Sequence, residues 1–109
     1  MIKMQIVMDD EKIRRDAPYE VARVHEVLDS YLVGELGLRK ASNGFYHGNG
    51  RGTDFSDFGF AFNTLRKKDW FLDNVKTWLY FNGDASDNPD DFAVEDFKDY
   101  CQNHMRVIV

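Results

Sequence analysis

The segment KDWFLDNVKTWLYFN, Lys68 to Asn82, decides the fold, because it holds both tryptophans and three of the chain's other aromatics. Trp70, Phe71, Val75, Trp78 and Leu79 recur at the i, i+3, i+4 spacing of an amphipathic helix, with Asp69 placed to cap it. The spacing therefore predicts a helix from Asp69 to about Phe81, with Trp70 and Trp78 on one buried face. Tyr80 and Phe81 fall at its end, where an exposed aromatic would make a binding hot spot for Arg or Lys. Immediately beyond, from Asp84 to Asp99, come seven acids (Asp84, Asp87, Asp90, Asp91, Glu95, Asp96 and Asp99) against a single base, Lys98. A folded aromatic segment would hold these carboxylates as a fixed array of negative charge.

Working back toward the N-terminus, Ile2, Met4, Ile6 and Met8 alternate with Lys3, Gln5 and Val7, the pattern of a half-buried strand. Asp9 to Asp16 reads as a loop or short helical turn. Val21, Val24, Leu28, Tyr31, Leu32 and Leu36 form a helical stripe that Gly34 and Gly37 end, predicting a helix over about 18–35. Ser42-Asn43-Gly44 between Leu38–Ala41 and Phe45–His47 is a hairpin signal. Phe55, Phe58, Phe62 and Leu65 predict a further helix capped by Thr53 or Asp54; the alternation Phe58-Gly59-Phe60-Ala61-Phe62 also allows a strand, but the helical spacing runs for longer. Val94, Phe97 and Cys101 predict a last helix from about Phe92, and Val107 to Val109 a short edge strand. The expected architecture is a single compact α+β domain, residues 1–109: a small antiparallel sheet, made of the N-terminal strand and the Asn-Gly hairpin, packed with about four helices.

The 109 residues carry a net charge of −5, and 43% of them are hydrophobic. The whole imbalance lies beyond residue 53, since the first 53 residues hold eight bases and eight acids. Phosphate neutralisation needs Lys and Arg, so direct nucleic-acid binding is disfavoured and a basic protein surface is the expected partner. Cys101 is the one cysteine, which suits a reducing cytoplasm, and no apolar run is long enough to span a membrane.

No catalytic signature stands out. His25, His47 and His104 are far apart, Cys101 lies on an apolar stripe, and neither a zinc spacing nor a phosphate loop is present; Gly48 to Thr53 matches neither glycine fingerprint. The expectation is a non-enzymatic protein without a cofactor. One alternative is a calcium module. Asp84, Ser86, Asn88, Asp90 and Glu95 occupy positions 1, 3, 5, 7 and 12 of an EF-hand loop, although Pro89 stands where the turn wants glycine.

Two stretches carry a family likeness: Lys68 to Tyr80 with the Asp-rich Asn82 to Asp91, and Met4 to Ile13. Together they resemble small acidic accessory proteins of conjugative elements and phages of Firmicutes, a group that includes anti-CRISPR and anti-restriction factors. The resemblance implies a cytoplasmic inhibitor in a host bacterium. Such a protein would occupy the nucleic-acid groove of a defence protein such as the CRISPR effector Cas9, with carboxylates standing in for phosphates.

Overall fold

The computed structural model describes residues 2–16, 20–49, 52–82 and 93–103. Strand β1 (Ile2–Met8) alternates buried and half-buried side chains along its whole length, as its sequence requires. The chain then turns into α1 (Asp10–Asp16), where Asp9 Oδ1 accepts the Lys12 amide at 3.0 Å and so caps the first turn. Helix α2 (Val21–Asp29) buries Val24 and Leu28 and continues into a π-helical turn, Ser30–Glu35, that buries Leu32. Gly37 at φ 73° takes the chain out of it.

The hairpin forms where the sequence placed it. Strands β2 (Arg39–Lys40) and β3 (Phe45–His47) pair antiparallel around a 3₁₀ turn, Ser42–Gly44. Asn43 at φ 60° and Gly44 at φ 80° supply the left-handed conformations that this turn demands. Gly44 has a second reason to be glycine: a Cβ there would lie 2.4 Å from the Ile6 carbonyl oxygen of β1. Helix α3 (Asp54–Leu65) follows, with Phe58, Ala61 and Leu65 buried, and is the helix expected there.

The decisive segment departs from its predicted helix. It contributes only one helical turn, α4 (Asp69–Leu72), and then an eight-residue strand, β4 (Val75–Asn82). Strand β5 (Ala93–Asp96) and helix α5 (Phe97–Asn103) complete the described chain, so the expected helix from Phe92 begins five residues later and Val94 lies on a strand. The edge strand expected at Val107–Val109 is outside the described residues.

The five strands make one antiparallel sheet in the order β2-β3-β1-β4-β5. β1 and β2 run the same way with β3 between them, a split β-α-β arrangement that β4 extends on the other side of β1. The fold is thus α+β, with two more strands than expected and five α-helices among the described residues. Met4, Ile6, Tyr46, Trp78 and Tyr80 share the sheet face that packs with the buried residues of the helices into one core. Trp78 is fully buried beneath that layer, its Nε1 donating to Met4 Sδ at 3.3 Å. On the opposite face Lys3, Gln5, Val7, Phe45, His47, Leu79 and Phe81 are only half-buried.

Candidate functional site: an aromatic groove with an acidic rim

Strand alternation sorts the predicted binding residues onto different faces. Tyr80 pairs with Glu95 and Phe81 with Val94, so Tyr80 and Glu95 point to the helical side while Phe81 points to the open side. Tyr80 and Phe81 therefore do not serve one site, as expected for neighbours at a helix end. Tyr80 is also not exposed: at 7% accessibility it belongs to the core, stacked on Phe97 at 5.3 Å and edge-on to Phe58 at 5.9 Å. Phe81 lies 5.7 Å from Phe45, and Lys3 Nζ sits 5.1 Å from one ring centroid and 5.4 Å from the other.

On the helical side, between α3, β4 and α5, runs a groove of about 400 Å³. Phe58, Phe62, Tyr80, Phe97 and Tyr100 line it, and Glu95 and Asn82 provide its polar groups. The rings support one another: Phe62 packs 4.5 Å from Phe97 and 6.2 Å from Tyr100, and Phe97 meets Trp78 edge-on at 5.4 Å. Such contacts fix ring planes as well as burying area, so the walls are set before anything binds. Tyr100 is 48% exposed and forms the outer lip. Glu95 is exposed and engages no partner among the described residues.

The remaining acids divide between roles. Asp96 Oδ1 accepts the Asp99 amide at 3.0 Å, which makes Asp96 the cap of α5, and Asp99 lies in the first turn, where the helix dipole favours negative charge. Both are exposed. Asp84, Asp87, Asp90 and Asp91 lie outside the described residues, as do Ser86 and Asn88 of the calcium alternative. What the described residues do show is the frame of that loop. It connects β4 to β5, two paired strands, where an EF-hand needs a helix on either side. Among the described residues no group of three His, Cys, Asp or Glu is placed to hold a metal ion.

A second polar cluster escaped the sequence reading because its members come from three separate segments. Asp29 on α2 accepts hydrogen bonds from Lys40 Nζ and from the Tyr46 hydroxyl, both at 2.6 Å. Burial would raise the Asp29 carboxyl, but these two bonds outweigh it and hold the group below its ordinary range. Tyr46 is pushed well above the ordinary phenol value, first by burial and then by its bond to Asp29. A phenol held protonated in this way is a tether, and it ties the hairpin to α2. One helical turn earlier, His25 Nε2 meets Asp10 Oδ1 at 2.8 Å and joins α2 to α1. Cys101 is buried at 2% accessibility, in keeping with its place on an apolar stripe. No helix among the described residues is long and apolar enough to cross a membrane. No family model matches the chain, and neither does any curated protein or solved structure.

Proposed function

We propose that this chain is a small acidic, non-enzymatic interaction module that inhibits a nucleic-acid-handling defence protein of its bacterial host. A CRISPR effector of the Cas9 type is the target to which the resemblance points. The observation that carries the proposal is Glu95, an exposed carboxylate on the rim of a preformed aromatic groove, with Asp96 exposed at the end of β5, in register with Leu79 of the open face, and Asp99 exposed in the first turn of α5. In the proposed complex these three residues meet Arg and Lys side chains that otherwise hold phosphate, and Asp84, Asp87, Asp90 and Asp91 add to the negative charge of the same stretch of sequence. A net charge of −5 speeds encounter with a basic surface at low salt, and screening weakens the effect over about 10 Å at 0.1 M ionic strength.

The test is DNA cleavage by a Cas9–guide RNA complex titrated with the wild-type protein and two neutralised variants. One is Glu95→Gln/Asp96→Asn/Asp99→Asn; the other is Asp87→Asn/Asp90→Asn/Asp91→Asn. Inhibition by the wild type that fades with salt and is lost in either triple variant is the expected result. Inhibition that persisted unchanged in both variants would remove charge mimicry, and unimpaired cleavage with the wild type would remove this target.

A further inference from the structure

Gly59 is an anomaly of α3. It sits in the middle of a twelve-residue helix, where glycine is destabilising relative to alanine. No packing constraint explains it, since a Cβ built there meets nothing within 4 Å. Its place in the fold does offer a reason, because Gly59 is one of the residues lining the aromatic groove. Any larger side chain at this position would project into open space beside that groove.

The chemistry of the walls then says what enters. Aromatic faces attract cations through their quadrupoles, and guanidinium more readily than ammonium, because it is planar, weakly hydrated and stacks on rings. Within the molecule the Arg66 guanidinium lies 6.0 Å from the centroid of Phe62, so a ring of the groove already takes a guanidinium as neighbour. Glu95 adds the counter-charge. A volume of about 400 Å³ lies within the usual range for a ligand pocket.

We propose that the groove between α3, β4 and α5 is an arginine pocket. A guanidinium side chain from a basic segment of the partner lies among the rings of Phe62, Phe97 and Tyr100, Glu95 is its counter-ion, and Gly59 leaves its entrance open. The inference rests on the proposed engagement of a basic protein surface and narrows it to one residue type at one place.

Calorimetric titration with three peptides tests it: (Arg-Gly)₃, (Lys-Gly)₃ and the neutral citrulline analogue of the first. The arginine peptide should bind about tenfold more tightly than the lysine peptide, and the citrulline peptide not at all. Gly59→Leu keeps every charge but fills the entrance, and should abolish arginine binding. Gly59→Ala should retain it while raising the thermal midpoint by about 2–6 °C. Glu95→Gln should weaken binding about tenfold. Equal binding of the arginine and citrulline peptides would overturn the proposal. So would undiminished arginine binding by Gly59→Leu, or by Glu95→Gln should the leucine variant fail to fold. Running Gly59→Leu in the cleavage assay separates the two levels. Charge-dependent inhibition that survives in it, when the wild type itself binds the arginine and citrulline peptides equally, leaves the inhibitor standing and removes the pocket.

Discussion

The sheet carries an aromatic cluster on each face, and the two clusters differ in what accompanies the rings. On the open face, Phe45 and Phe81 have a cation of the protein's own, Lys3, whose ammonium lies over both. On the helical face, the groove formed by Phe58, Phe62, Tyr80, Phe97 and Tyr100 has Arg66 at 6.0 Å from one ring, Phe62, and a carboxylate, Glu95, at its edge. Phe45 and Phe81 share one built-in cation and have no carboxylate of the groove beside them. Rings beside a carboxylate make a place where a cation from elsewhere gains twice, from the π faces and from the counter-charge. The comparison teaches that aromatic content alone does not locate a binding surface; the sign of the neighbouring charge does.

The largest expected effect strikes both clusters at once, because both are mounted on β4. Trp78 is fully buried and touches Phe62, Phe71 and Phe97, so Trp78→Ala should destabilise the protein by about 3–5 kcal/mol, measured by urea unfolding. If the midpoint hardly moved, the packing that sets the groove walls would be misassigned. Next come Glu95 of the rim and the exposed acids that follow it, Asp96 and Asp99. Glu95→Gln/Asp96→Asn/Asp99→Asn should lower affinity for a basic partner by more than the roughly tenfold loss expected at Glu95 alone. Stability should hold, because asparagine caps a helix about as well as aspartate and so preserves the start of α5. Unchanged affinity would place the contact elsewhere.

Smaller effects sharpen the open face. Lys3→Met should lose about 0.5–1 kcal/mol of stability, read from the same unfolding curves, without altering partner binding. A loss of binding would mean that the open face is the interface. The smallest effect is a pH dependence. Partial burial, then the charges of Lys3 and Arg39, hold His47 below its ordinary value of 6.5. The unfolded chain thus takes up the proton more readily. Stability should fall as pH drops below about 6.5 and level off once the folded-state value is passed. His47→Gln should remove that slope, and Lys3→Met should bring the imidazole, followed by NMR, part of the way back. An imidazole that titrated above 6.5 would contradict this account of the open face.

Much of the fold was legible in the residues. Strand β1 declared itself by alternation, the hairpin by Asn43-Gly44, and α3 by its phenylalanine spacing. The failure at β4 has a local cause. Val75 pairs with Met8 and Thr77 with Val7, so Lys76 is an extra residue in a β-bulge. The bulge shifts the inward phase, burying Val75 and Trp78 three residues apart, and Phe71 from the short α4 stands four residues before Val75. A helical turn followed by a bulged strand therefore imitates the i, i+3, i+4 stripe of one continuous helix. The same error put Tyr80 and Phe81 together at a helix end, whereas strand alternation divides them. Of the site, Glu95, Asp96 and Asp99 were found from charge alone. The groove was not, because Phe58, Phe62, Phe97 and Tyr100 meet only through tertiary packing, and Gly59 acquires meaning only beside them.

The most direct measurement follows the two aromatic clusters side by side, by assigned aromatic NMR spectra of the protein during titration with (Arg-Gly)₃. The account predicts that Phe62, Phe97 and Tyr100 shift and saturate together while Phe45 and Phe81 stay in place. Saturable shifts at Phe45 and Phe81, with the groove rings unmoved, would contradict it.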